Sequence, residues 1–391
     1  MNNYKNIQQT DITNKTIFIR SDMNIPLNTD NKIADDTRIK ASLATIQYAL
    51  NHNAKIVLAT HLGRPTEGST PDQSTSVKVI AQHLVKLLGL AEVPVLSFDE
   101  VATNQWHHNK IVMLENVRLN SGEKKNDPDL AKRYAQNIDV FVHDAFATAH
   151  RKEASTYGIA SYTKDKCSGI LFDQEYQALS KVIHATGNKL AVIGGSKVST
   201  KLAVLKNLAQ KVNYLCLGGG ILNTFLMAKG MNIGKSLVET TMLEYVKEII
   251  RIMDSKNSKI LLPEYVVTTK ELSPNSVTET KAISAILDDD IIIDIASQSA
   301  QNITEYFQSL DLIVWNGPVG IFEWDNASAG TKIIAEAIAQ SQAYSVAGGG
   351  DSIAAINKFK IEGIDYVSTA GGAMLEFLAG DQLPGVEILE K

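Results

Sequence analysis

Short, almost wholly apolar runs recur along this chain, and segments of helical period lie between them. In the front half, TIFIR (16–20), KIVLAT (55–60), VPVLSF (93–98), IVMLEN (111–116) and DVFVHD (139–144) read as strands. ASLATIQYALNHNA (41–54), SVKVIAQHLVKLLG (76–89) and DLAKRYAQNI (129–138) read as helices, with Gly89 as a C-cap. The back half repeats the rhythm with KLAVIGG (189–195), YLCLGGG (214–220), SKILLPEYVV (258–267), DIIIDI (290–295), DLIVWNG (311–317) and YSVAGGG (344–350). Strands this uniformly apolar are buried on both faces. Alternating with helices, they build parallel sheets covered by helices, with right-handed crossovers. The expected fold class is α/β, with two doubly wound parallel-sheet domains joined by a hinge helix. The helical pattern over 168–186 is the candidate connector, between a first domain over 1–167 and a second over 187–376.

In such sheets ligands sit beyond the carboxyl ends of the strands, so the strand ends become a list of candidate sites. The chain has seven arginines against thirty-one lysines, and six of the seven fall between Arg20 and Arg151. Arg64, Arg118 and Arg151 follow strand ends, and Arg38 stands at the start of the first helix. The guanidinium fork suits carboxylates and phosphates. With His61, which also follows a strand end, these four arginines read as a basic bowl for a phosphate and a carboxylate.

The back half is rich in glycine instead. Gly194-Gly195-Ser196-Lys197-Val198-Ser199-Thr200-Lys201 runs from a strand into a helix. If that stretch is helical, Lys197 and Lys201 share one face, which favours an anion beside them. Gly348-Gly349-Gly350-Asp351-Ser352 is a second strand-to-helix turn, and Ser368-Thr369-Ala370-Gly371-Gly372 a third. Backbone N–H groups at such turns suit phosphate. Asp351 reads equally as a carboxylate bridging to phosphate through Mg²⁺ or as a plain helix cap.

Other features exclude function classes. The net charge of −5 argues against a general nucleic-acid binder. There is no run of eighteen apolar residues and no signal-peptide core, so a cytoplasmic protein without a membrane partner is expected. Two cysteines, Cys167 and Cys216, match no metal-ligand spacing and fit a reducing compartment. No GxGxxG or GxSxG is present. GMNIGKS (230–236) is one residue short of a Walker A loop and reads as a structural turn; His107-His108 and Asp288-Asp289-Asp290 read as a polar loop and a solvated turn. A nucleotide-dependent acid:phosphate ligase and a non-catalytic anion sensor are the rival readings.

Taken in order, RSDMNIP, HLGRP, LENVRLNSGEKKND, HDAFATAHRKEAST, GGSKVSTKL, GGGILNTFL, NIGKSL, WNGPVGIFE, GGGDS and STAGGAMLEFL resemble the motifs of the phosphoglycerate kinase family over nearly the whole chain. The resemblance implies reversible phosphoryl transfer between 1,3-bisphosphoglycerate with ADP and 3-phosphoglycerate with ATP, with Mg²⁺ and a monomeric enzyme. It implies phosphoglycerate binding by Asp22, Asn24, Arg38, His61, Arg64, Arg118 and Arg151. It implies nucleotide binding by Lys197, Lys201, Gly218, Gly219, Asn316, Glu323, Gly349, Gly350, Asp351 and Ser352, with the metal on Asp351. Arg38, Lys197, Gly371 and Gly372 are the implied catalytic groups. It also implies that the tail (377–391) packs back on the first domain. Met23, Ile25, Ala147 and Ala370 depart from common family residues without touching the polar positions.

Overall fold

The computed structural model describes residues 4–103, 106 and 108–390. The chain divides into two compact units, one formed by Met1–Gln177 with Gln382–Lys391 and one by Ala178–Asp381.

The first unit runs β1 (Thr16–Ser21), α1 (Thr37–Asn51), β2 (Lys55–Ala59), α2 (Lys78–Leu88), β3 (Val95–Leu96), α3 (Phe98–Ala102), β4 (Ile111–Leu114), α4 (Pro128–Tyr134), β5 (Val140–Asp144) and β6 (Asp165–Ser168). The strands form one parallel sheet in the order β3-β4-β2-β1-β5-β6. Successive side chains of β1 point to opposite faces. Ile17 and Ile19 therefore pack with Ile39, Ile46, Ile80 and Leu84 of α1 and α2, whereas Phe18 packs with Leu130, Tyr134 and Ile159 on the other side. The strand order reverses between β1 and β5, which opens a crevice at their carboxyl ends.

The helix α5 (Ile170–His184) contains the division between the units, at Gln177/Ala178. The second unit continues with β7 (Lys189–Ile193), α6 (Leu202–Lys211), β8 (Tyr214–Leu217), α7 (Gly219–Ala228), α8 (Leu243–Ser255), β9 (Lys259–Leu261), β10 (Tyr265–Thr269), β11 (Thr278–Ala282), β12 (Ile291–Ile295), α9 (Ser297–Thr304), β13 (Leu312–Asn316), α10 (Ala329–Gln340), β14 (Tyr344–Gly348), α11 (Gly350–Phe359), β15 (Tyr366–Ser368) and α12 (Gly372–Ala379). Its parallel sheet has the order β15-β14-β13-β7-β8-β9, reversing between β7 and β13. The last helix, α13 (Pro384–Glu390), belongs to the first unit, where Ile388 joins the apolar cluster around Phe18 and Gly385 N donates to Ala149 O at 2.8 Å.

Several elements differ from the sequence reading. SKILLPEYVV is two strands, because Pro263 cannot donate to a ladder. Its second part, β10, pairs with β11 and β12 in a separate three-stranded antiparallel sheet, which also takes DIIIDI away from the parallel sheet. The strand β11 is partly exposed and carries no apolar run, and β6 is likewise short and polar. Within VPVLSF only Val95–Leu96 is strand; Ser97 caps α3, with Glu100 bonding back to it. Asp290 is not solvated: it is buried, and its carboxylate lies 2.8 Å from Lys270 Nζ and 3.0 Å from Lys281 Nζ. Gly89 caps α2 at φ 65°, as expected. GMNIGKS forms a turn in which Gly234 bridges to Ile291. Of the His107-His108 pair, His107 lies outside the described residues, as do Met1 to Asn3 and Lys391.

Candidate active site

The crevice of the first unit gathers cations around one histidine. Arg38 NH1 donates to Asp22 Oδ2 at 2.5 Å, and His61 Nδ1 lies 3.8 Å from the other oxygen of that carboxylate. Asn24 Oδ1 accepts from Gly63 N at 2.9 Å, which pins the loop after β2. Arg118 is buried and donates through NH1 to Gly63 O at 2.9 Å. Arg151 Nε donates to His150 Nε2 at 3.1 Å, and its NH1 is 4.0 Å from Glu153. Arg118 Nε and Arg151 NH1 are buried without a hydrogen-bond acceptor, the latter with only the distant Glu153 carboxylate beside it. Burial, together with the charges of Arg20, Arg118, Arg151 and Arg38, holds His61 well below the ordinary imidazole range. His61 is therefore neutral at physiological pH. Arg64 is exposed and makes no ion pair among the described residues, so the structure draws three of the four expected arginines to His61 and leaves the fourth outside that cluster.

Arg20 takes the fourth place. It ends the apolar run TIFIR and is wholly buried. Its Nε donates to Ser155 Oγ at 2.9 Å, NH1 donates to Ser21 O, and NH2 lies 3.4 Å from His61 Nδ1. Ser155 Oγ in turn donates to Glu123 Oε1 at 2.5 Å. Burial raises the Glu123 carboxyl to about 7, although Ser155 and the charge of Arg20 pull it down. No sequence motif marks Arg20, Ser155 or Glu123 as a site residue. The available signal was an arginine inside an otherwise apolar strand, since a buried guanidinium needs partners.

In the second unit the loop after β13 meets those after β7 and β8, beside the reversal of strand order. They touch backbone to backbone: a Cβ on Gly194 would fall 1.7 Å from Pro318 O, and one on Gly218 2.2 Å from Val319 Cα. Lys201 Nζ donates to Gly194 O at 2.6 Å and to Asn316 O at 3.0 Å. Burial lowers this ammonium to about 8, opposed by the charge of Asp351. The shared helical face expected for Lys197 and Lys201 is absent. Ser199–Lys201 is a 3₁₀ turn and α6 starts only at Leu202, so Lys197 is exposed while Lys201 turns inward.

The third loop follows β14. Gly349 has φ 97° and caps α11, so Asp351 is not the cap but an exposed residue of the first turn. Asn316 Nδ2 donates to Gly348 O at 2.7 Å, and Gly317 N donates to the buried Ser352 Oγ at 2.7 Å. Gly219 has φ 61° and lies in the first turn of α7, after its N-cap Gly218. The Glu323 side chain is exposed; its carbonyl accepts from Lys358 Nζ at 3.0 Å. Gly371 caps α12 at φ 56°, and a Cβ on Gly371 or Gly372 would meet open space. The N–H groups of Gly194, Gly218 and Gly219 are spent on Asn316 O, Ile193 O and Val319 O, so the helix starts at Gly349-Gly350 and Gly371-Gly372 are the glycine turns with N–H groups to offer, and Lys201 is half-buried while Lys197 is exposed.

The family model described as phosphoglycerate kinase matches residues 7–381. The chain belongs to the phosphoglycerate kinase family. A curated phosphoglycerate kinase of Francisella philomiragia is 46% identical over 390 residues, covering 98% of each chain. The phosphoglycerate kinase structure from Coxiella burnetii matches with a TM-score of 0.91 at 41% identity, over 99% of this chain and 98% of that one. That from Pyrococcus horikoshii matches with a TM-score of 0.84 at 33% identity, over 98% of each. As a phosphoglycerate kinase this chain is a glycolytic phosphotransferase, exchanging a phosphoryl group between 1,3-bisphosphoglycerate with ADP and 3-phosphoglycerate with ATP. No helix among the described residues is long and apolar enough to cross a membrane.

Proposed function

We propose that the first unit binds the phosphoglycerate and the second the Mg-nucleotide, and that catalysis proceeds by positioning and charge stabilisation without a general base. The observation that carries this reading is the pair of buried guanidinium nitrogens without a hydrogen-bond acceptor, Arg118 Nε and Arg151 NH1, close to a neutral His61. Buried donors without partners are costly, and an acid bearing a phosphate would satisfy them. Asp22, Asn24 and Arg38 complete that bowl, and Arg64, exposed outside the cluster, would join it only on binding the anion.

In the second unit Lys201 and the turn at Gly349-Gly350 hold the phosphates, Asn316 and Ser352 fix the loops, and Glu323 bonds the ribose. Asp351 would hold Mg²⁺: a single exposed carboxylate at a helix start fits a cation that takes most of its other oxygens from phosphate and water. When bound, the cation neutralises charge on the nucleotide phosphates. Asp351 keeps its carboxylate in the first turn of α11, and Lys201 lies close enough to feel its charge.

The acceptor is a carboxylate, already ionised at neutral pH. Lys197 and Arg38 follow the transferring group, and the N–H groups of Gly371 and Gly372 add donors to a loose transition state. The two substrates are assigned to different units, so the units close on one another during turnover and exclude water. We place the enzyme in the cytoplasm as a monomer; its two buried free cysteines support a reducing compartment. Lys197→Ala and Arg38→Ala test the mechanism. Each is expected to lower kcat by about a hundred-fold or more, and a change of only a few-fold overturns the assignment. Solution scattering with both substrates should show a smaller radius of gyration than the free enzyme.

A further inference from the structure

We propose that Glu123 and Ser155 are positioning residues for the phosphoglycerate site, acting through Arg20 to hold His61 as an Nε2–H donor. The inference rests on the reading of the first-unit bowl given above, and it starts from a chain of five contacts. Glu123 Oε1 accepts from Ser155 Oγ at 2.5 Å and from Ser155 N at 3.2 Å. The Ser155 hydroxyl has one proton, already given to Glu123, so towards Arg20 Nε at 2.9 Å it acts only as acceptor. With NH1 held by Ser21 O, the guanidinium plane is fixed, and NH2 is aimed at His61 Nδ1 at 3.4 Å.

A guanidinium only donates. The ring nitrogen facing it must therefore carry the lone pair, and the proton of the neutral imidazole sits on Nε2. The other contact of Nδ1, the Asp22 oxygen at 3.8 Å, is too far to impose the opposite tautomer. All four residues are buried and lie within the first unit. Without the Glu123–Ser155 anchor the guanidinium could rotate, and His61 could take either tautomer. The first link is the carboxylate: Glu123 is fully buried, bonded by Ser155 and lying against the Tyr134 hydroxyl.

The experiment compares Ser155→Ala and Glu123→Gln with wild type and with Arg118→Ala. Both anchor variants should raise KM for 3-phosphoglycerate by roughly ten-fold, leaving KM for ATP unchanged. The nitrogen NMR signals of His61, identified by their loss in His61→Gln, should report a single Nε2–H tautomer in wild type and a mixture in Ser155→Ala. A structural role alone would lower the melting temperature without changing the tautomer or splitting the two KM values; that result overturns the proposal. If Glu123→Gln does not fold, Ser155→Ala decides alone. If Arg118→Ala leaves KM for 3-phosphoglycerate unchanged, the bowl reading itself is wrong. If Arg118→Ala raises it and Ser155→Ala does not, the bowl stands and the anchor fails.

Discussion

The hydroxyl of Ser352, buried in the first turn of α11, accepts the backbone N–H of Gly317 at 2.7 Å and so ties the loop after β13 to the turn after β14. Gly317 is itself buried, so no water can replace that acceptor. Ser352→Ala should cost about 1–3 kcal/mol of stability. It should also raise KM for ATP several-fold while KM for 3-phosphoglycerate stays put. Steady-state kinetics against each substrate, with thermal melting, checks both parts.

Lys201 gives the nucleotide site a pH dependence. Burial lowers its folded-state value from 10.5 to about 8. Below that point the ammonium is charged in both folded and unfolded chains, and the folded state carries the full burial penalty. The penalty fades as pH rises from about 8 towards 10.5, so this group favours stability at alkaline pH. Activity moves the other way. In the free enzyme kcat/KM for ATP should fall above about pH 8 as the charge is lost. In Lys201→Met it should be low at every pH, with no inflection near 8.

Asp290 holds Lys270 and Lys281, and although burial pushes its carboxyl up, Lys270, the N–H of Leu287 and Lys281 together depress it to about 2. A depressed folded-state value means that the stabilisation is present above about pH 4 and is lost as pH falls towards 2. Asp290→Asn should destabilise the protein by about 2 kcal/mol at neutral pH. Urea melts should converge with wild type near the acid end, and kcat of the folded variant should be unchanged.

A Cβ on Gly385 would come within 2.8 Å of Ala149 Cα and of His143 Nε2. Ala149 lies two residues before Arg151, so the tail buttresses the loop that carries a binding arginine. Gly385→Ala should cost about 1–3 kcal/mol by overpacking and should raise KM for 3-phosphoglycerate but not for ATP. Proteolysis should cut the tail of the variant faster than that of wild type.

Where strands are buried on both faces, as in TIFIR and DLIVWNG, pattern alone located them, and the strand-end rule then led to His61, Arg118, Lys201 and the glycine turns. The reading failed where tertiary pairing outweighed local pattern. Nothing local in TETKA (278–282) marks a strand, because β11 is fixed by its partner β10. Asp290 read as solvated because a single carboxylate gives no hint that two lysines converge on it. Lys197 and Lys201 would share a face only in a continuous helix, and a 3₁₀ turn stands there instead. Arg20 escaped as a site residue because its role depends on Ser155 and Glu123, more than a hundred positions away along the chain.

The return of residues 382–390 to the first unit sets an order on biosynthesis. A ribosome emits β1 to β6 first, then the whole of the second unit, and only then α13. The unit that begins first is thus completed last. During translation Phe18 and its neighbours wait for Ile388 with one flank of their cluster unfilled, while the second unit already has every one of its own segments and can fold ahead of it.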